Sequence, residues 1–488
     1  MTSHSKPALA VVGLLGLYLF VTSAFFPLEF LPVFDAKRML QLALFTAILI
    51  SAVAWTPLRT ATIAQLSRLS KLNRYALFLF FLIGLISSLR LDHPAYALID
   101  VSMMFVMMIL IAATAASREL SGEHFDRWAV LALVVMGLAV AIQELMGFVA
   151  GWVFGTEFSY DQALIHFAHP RFYNQLQTWS IPVLAALPLL FPGKRWIKIG
   201  CVVLIGLQWF LVIALAARGT AVSLLISMVF IAFWLPAQRK SWLKFQIGGL
   251  IVGIAIYSGI IFLNGVLIPK AQSGEFYAYS VGRPMAHTSG RSNFWRLSIE
   301  DAVKHPMLGS GPTRYACDSE LVLPAHPHNF PLRILGEWGM IAFVLFLFLA
   351  VTIGLGFLKN LKYQNEESLT DPPLSAMLAT SLIAGIIHAC LSGLIIMPAS
   401  QTAMILVAGW VLSLSESAAS EPKKVTFGNA MIFTALMLVS ITLVFAIKEI
   451  TKLPEHKVYS GPSNLMAPRF WQDGKACGRD QAHFFESM

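Results

Sequence analysis

Two histidines and an asparagine, His326, His328 and Asn329, lie in the stretch AHPHNFPLRILGEWG, where a polar segment runs into an apolar helix. An imidazole with an unperturbed pKa of ~6.5 suits removal of a proton from a hydroxyl, a step worth about 10²–10⁴-fold in rate. A histidine at such an edge can also meet both a lipid-borne and an aqueous substrate. A plainer role is open to the same residues: His328 or Asn329 can cap the helix that follows, and His326 can orient the loop.

A second anchor is Arg218, alone between two apolar runs in WFLVIALAARGTAVSLLISMVF. A cation near the bilayer centre costs about 2.5–3.5 kcal/mol, so its retention points to an anionic partner, with snorkelling to the headgroups as the other reading. Further basic residues in the expected outer segments are Arg171, Arg283, Arg291, Arg296 and Arg314, with Lys304 nearby. A planar guanidinium binds phosphate bidentately, so two or three converging arginines would hold a diphosphate and stabilise its charge as it leaves. Arg291 and Arg296 stand five apart, a spacing that does not put both on one helical face. Arg171 adjoins Tyr173, Asn174 and Gln175, a set suited to sugar or phosphate oxygens and equally to packing of a loop.

The elements that must carry these residues are membrane spans. The chain of 488 residues is 57% hydrophobic and 12% charged, with mean hydropathy +0.70, far from the usage of a soluble domain. Apolar runs long enough to cross a core of ~30 Å recur near 8–26, 39–56, 75–89, 96–116, 128–150, 179–192, 197–216, 220–235, 245–268, 334–358, 374–391, 395–414 and 428–447. The expected fold is all-α: a polytopic transmembrane helical bundle of about 12–13 spans with one large loop domain on the outer face. Helices are expected because lipid leaves no backbone polar group unsatisfied, and the alternation of a transmembrane barrel is missing. The first run follows a single lysine, Lys6, and has no small-residue cleavage site, so it reads as a retained span.

With the N-terminus inside, inner loops hold sixteen Lys and Arg residues between Arg59 and Lys424. The short outer loops hold five: Lys37, Arg38, Arg90, Arg171 and Arg218. That bias sets the orientation, and it accounts for most of the net charge of +9 without a nucleic-acid partner. The expected division is N-terminal spans over 1–268, the loop domain over 269–331, C-terminal spans over 332–447 and an outer tail over 448–488. Within the loop, SNFWRLSIEDAVKH has helical spacing and stops at Pro306, so it predicts a short helix on the membrane surface. Cys317 in the loop and Cys477 in the tail then share an oxidising compartment, which permits a disulfide between them or two free thiols.

Other chemistries find little support in the residues. A bare HxH without a third ligand is a weak metal signal, no phosphate-binding glycine loop with its lysine is present, and intramembrane acids are few, Glu144 being the clearest. No cofactor is expected.

The spans, the single large outer loop and the motif at its exit together resemble the bacterial O-antigen ligase superfamily, which includes O-antigen polymerases and O-linked protein glycosyltransferases. The exit motif of the ligases is similar to His328, Asn329, nine residues and Gly339; a later small residue, commonly glycine, is Ala342 here. Arg291, Trp295, His305, Pro306, Gly309 and Gly311 stand at the positions of the loop signature. Arg218 and Gly219 resemble the Ser-Arg-Gly segment at a span's outer end, with Ala217 replacing the serine. The resemblance implies transfer of a glycan from undecaprenyl diphosphate to an acceptor hydroxyl, without metal or nucleotide, on the periplasmic face of the bacterial inner membrane. It implies His328 as the general base and Arg218 as binder of the diphosphate, helped by loop arginines such as Arg291. Arg171, Arg296, Arg314, His326 and Asn329 are the further substrate-binding candidates. The exit motif favours the ligase branch, with lipid A–core as acceptor; a growing glycan or a protein is the acceptor in the other branches. From a different class, a lipid-linked oligosaccharide flippase also needs an outer cationic cavity, but not a long one-sided loop ending in a positioned histidine.

Overall fold

The computed structural model describes residues 5–25, 31–91, 94–155, 164–236, 239–267, 291–317, 325–367, 374–414, 425–451 and 469–471. All regular structure among them is helical. Among the described residues, nine helices are long and apolar enough to cross a membrane: α1 (Ser5–Ala24), α2 (Val33–Ala54), α4 (Lys71–Leu89), α5 (Pro94–Ser121), α6 (Glu123–Phe154), α9 (Arg195–Ala214), α11 (Arg239–Leu267), α14 (Phe330–Glu367) and α17 (Val425–Thr451). Three shorter apolar helices join them, α10 (Arg218–Trp234), α15 (Leu374–Ala389) and α16 (Pro398–Leu414). The protein is therefore an all-α, multi-pass membrane protein.

The run at 179–192 departs from expectation. It is not one continuous helix but the end of α7 (Pro170–Leu184), a turn, and the four-residue α8 (Leu187–Leu190). Pro182 lies within α7 and Pro188 within α8, and a proline removes one backbone donor and crowds the preceding turn. Consequently Tyr173, Asn174 and Gln175, read from sequence as part of an outer segment, occupy the first turns of α7 and are buried. Their donor groups find partners inside the bundle. Tyr173 Oη donates to Gln208 Oε1 at 2.7 Å, Asn174 Nδ2 to Gln177 Oε1 at 2.8 Å, and Gln177 Nε2 to the Gln208 carbonyl at 3.0 Å. A helix absent from the sequence reading, α3 (Thr56–Ser67), fills the loop between α2 and α4 and packs on α5.

Two parts of the long loop are described. The stretch read as a surface helix forms α12 (Arg291–Lys304), burying Phe294, Ser298 and Ala302. It packs on α14 and leaves Ile299, Val303 and Met307 exposed. A one-turn helix, α13 (Arg314–Cys317), follows.

The HPMLGSG turn is hydrogen-bonded into a break in α14. Gly339 has φ 84° and ψ 176° and divides that helix, freeing backbone groups that the turn then satisfies. Ser310 N donates to the Gly336 carbonyl at 2.9 Å, Gly311 N to the Glu337 carbonyl at 2.8 Å, and Met340 N to the Pro306 carbonyl at 2.8 Å. A Cβ on Gly309 would lie 2.4 Å from the Glu337 carbonyl carbon, and one on Gly339 would lie 2.6 Å from the Gly309 nitrogen. Both glycines also have positive φ, so the two motifs read separately in the sequence are halves of one backbone junction. Trp338 stacks on Phe80 of α4 at 4.8 Å and fixes the junction to the bundle.

Candidate active site: a cleft of three arginines beside a histidine loop

Three arginines enter one cleft from three helices. Arg171 lies in the first turn of α7, where the His169 side chain caps the helix by accepting from Arg171 N at 3.1 Å. Arg218 opens α10 directly after a tight turn in which Ala216 has φ 49° and Arg218 N donates to the Ala216 carbonyl at 2.8 Å. Arg291 is the first described residue of α12. The first turn of a helix carries unpaired N–H groups and partial positive charge, so helix ends and guanidiniums favour an anion together. The cleft has about 580 Å³ of empty volume, open solvent included, and its lining is completed by Asn174, Gly219, Thr220, His388 and Ser392. No carboxylate is among those lining residues.

His388 was not singled out from sequence. It lies in α15, with Nδ1 2.7 Å from Thr178 Oγ1, and its Nε2 sits against Gly219, where a Cβ would come within 3.0 Å. The available signal was a lone histidine inside an apolar run, a position where ionisable residues are costly and mark function.

The histidine loop borders this cleft. Asn329 is the cap of α14, its Oδ1 accepting from Leu332 N at 3.0 Å, and Pro331 fits the first turn because its missing N–H would have no helical partner. His328 is thus released from capping and sits just outside the helix, with φ 54°, a conformation that costs a non-glycine residue stability and recurs at functional sites. Its backbone N–H donates to Nδ1 of His326 at 3.2 Å. The two rings meet edge-on at 4.3 Å, and buried His326 packs against Gly393. His326 therefore orients the loop through its Nδ1 acceptor and is the more deeply buried of the two.

Burial, followed by the charges of Arg291 and Arg171 and by His169, pushes the His328 imidazole down to about 3. Burial likewise holds His326 well below its ordinary value, reinforced by His328, Arg469 and Arg333. Both rings are neutral at physiological pH, the state a base requires. The remaining candidates stand elsewhere. Arg296 projects from α12, 72% exposed and 3.5 Å from Glu300, while Arg314 lies beside Asp301 on the loop. Neither lines the cleft.

Behind the histidine loop is a buried ionic group that sequence inspection missed in part. Arg333 and Glu337, one turn apart on α14, are joined by Nε–Oε2 contact at 3.2 Å. Asp100 of α5 pairs with Arg333. Arg469 of the C-terminal tail reaches Asp100 at 3.3 Å and Glu337 at 2.7 Å. Glu144 is thus one of several buried acids; its carboxylate accepts from Leu164 N at 2.8 Å. The Cys317–Cys477 pairing falls outside the described residues, since the Cys317 side chain and all of Cys477 are not described.

These features define a multi-pass membrane protein with an arginine-lined cleft next to a histidine loop. Residues 201–347 match the model of the O-antigen ligase family. The chain is also 26% identical, over 200 residues, to a Rickettsia conorii protein provisionally named a polysaccharide ligase; that similarity covers 35% of this chain and 48% of the relative. The chain thus spans about half the length of the curated relative it matches. Both matches support a likeness of this chain to the O-antigen ligase superfamily. The matched segment contains Arg218, Arg291, His328 and Gly339, and it leaves out Arg171, His388 and Arg469.

Proposed function

We propose that the protein is a glycosyltransferase moving a glycan from undecaprenyl diphosphate to an acceptor hydroxyl, with the cleft on the periplasmic face of the inner membrane. The observation that carries this reading is the convergence of Arg171, Arg218 and Arg291 on a single cleft, with two of those charges acting on His328. In the reaction the acceptor oxygen bonds to the anomeric carbon of the donor sugar and its proton passes to His328. The bond from that carbon to the diphosphate breaks, and the electron pair leaves on the phosphate oxygen, where the guanidiniums stabilise it. Asn174, His388 and Ser392 offer hydrogen bonds to the remaining oxygens. The branch favoured is the O-antigen ligase, with lipid A–core as acceptor and no added cofactor, on the strength of the family match over the loop and its exit.

The arrangement also gives the base a dependence on donor. A diphosphate seated between Arg171 and Arg291 offsets the charges that hold His328 down and makes the imidazole more basic once the donor is bound. The test is to incubate purified protein with an undecaprenyl-diphosphate glycan and, separately, lipid A–core, a pilin-like peptide or a second donor, and to record which acceptor gains mass. Gain by lipid A–core supports the ligase reading; gain by the peptide or second donor assigns another branch, and gain by none removes the transferase. In the same assay His328→Ala abolishes transfer while retaining polyprenyl-diphosphate binding. Unchanged transfer in that variant removes His328 as the base.

A further inference from the structure

Three described residues of the C-terminal tail reach back into the bundle beneath the histidine loop. Arg469, 3% exposed, and Trp471, 1% exposed, are as buried as core residues. The Phe470 carbonyl accepts from Arg38 Nε at 3.3 Å, and Arg38 is itself anchored to the Ile396 carbonyl at 2.6 Å. The Phe470 ring lies edge-on to Tyr96. One guanidinium nitrogen of Arg469 faces the carboxylates of Asp100 and Glu337; the other donates to the carbonyl of Ala325 at 3.3 Å. Ala325 immediately precedes His326.

We infer that the tail is a clasp on the histidine loop, with Arg469 as the positioning residue that tethers Ala325 to the ionic group on α5 and α14. This goes beyond the proposed transfer but rests on it for its catalytic consequence. The two roles of Arg469 use different nitrogens. Charge balance for Asp100 and Glu337 needs only a cation, whereas the bond to Ala325 needs a second donor a fixed distance away, which the guanidinium fork supplies and an ammonium does not. The tether matters because the loop holds His328 in the left-handed region, and a strained conformation persists only while its surroundings over-determine it. Displacement of a reacting group by about 1 Å is enough to cost about 10²-fold in rate.

The test uses the full-length protein with Arg469→Lys and Arg469→Met. Lysine retains the charge and loses the tether; methionine loses both. For Arg469→Lys the expected result is kcat lowered about tenfold or more, KM for the lipid-linked donor within about twofold of wild type, and a melting temperature well above that of Arg469→Met. Hydrogen exchange of the backbone amides in residues 325–329 should be faster in Arg469→Lys than in wild type. Wild-type kcat, a loss of kcat that only follows a loss of thermal stability, or unchanged exchange at the loop would each overturn the clasp. The exchange measurement needs no substrate. If wild type transfers glycan to none of the acceptors, the transferase reading fails while the clasp is still decided.

Discussion

Two groups of arginines sit at the same end of the bundle, and they are built in opposite ways. Arg171, Arg218 and Arg291 line an open cleft, with no carboxylate among its described lining residues. Arg333 and Arg469 are closed in by Asp100 and Glu337, with Arg333 and Arg469 almost fully buried. The first group is partly exposed and lies at helix starts, which suits an anion that comes and goes. The second has its charges paired internally, and a buried charge that has lost its partner is far costlier than one at a surface. The lesson is that arginine near a membrane site does not identify a ligand; the company it keeps does.

That contrast can be broken in graded steps. The largest kinetic effect is expected in the open cleft. Arg218→Lys keeps a charge but not the bidentate fork, and is expected to lower kcat/KM for the donor by about 10²-fold with little change in melting temperature. Steady-state kinetics beside a thermal melt checks this, and a fall in stability without a kinetic loss would place Arg218 with the closed group.

The reverse signature is expected for Glu337→Gln. Removing one partner from a buried ionic group costs about 3–5 kcal/mol, so detergent-solubilised protein should melt markedly lower, while the surviving folded fraction binds undecaprenyl diphosphate with wild-type affinity. A specific loss of binding at full stability would contradict the division.

An intermediate effect concerns pH. In the free protein His328 is depressed by burial, Arg291 and Arg171, so it stays neutral until the pH is strongly acid. Bound diphosphate raises it, and the imidazole of the complex is therefore protonated, and lost as a base, at higher pH than that of the free protein. The acid limb of kcat should lie above the acid limb of kcat/KM, since the first reports the complex and the second the free protein. Coincident limbs would show that the cleft's charges do not govern the base. The smallest effect is expected at exposed Arg296: Arg296→Ala should leave transfer within about twofold of wild type, because a solvent-exposed pair contributes little.

Much of the architecture was legible before any coordinates. Every apolar run contains helix, because a continuous stretch of hydropathy has few alternatives in lipid. The helix over SNFWRLSIEDAVKH follows from its spacing, and it appears as Arg291–Lys304. Residues 179–192 defeated the same logic, since hydropathy registers apolar content but not that polar groups between Tyr173 and Thr178 would find partners on α9, α10 and α15. Within the site, Arg218 was visible as a charge out of place, and the spacing of His328 to Gly339 as a motif. His388 and Arg469 were not visible in that way. Their significance depends on partners far along the chain, such as Thr178 for the one and Asp100, Ala325 and Glu337 for the other.

What sequence alone determined is a many-spanned helical protein, its basic asymmetry, and a short list of residues with the right chemistry. These are properties of composition and local period, set by the cost of placing polar groups in hydrocarbon. Only the tertiary structure decided which arginines share a cleft and which are locked in ion pairs, and that Asn329 rather than His328 caps α14. It alone joins Gly309 to Gly339. Those outcomes depend on contacts a few ångströms long between residues tens to hundreds of positions apart, and local sequence preference carries no record of them.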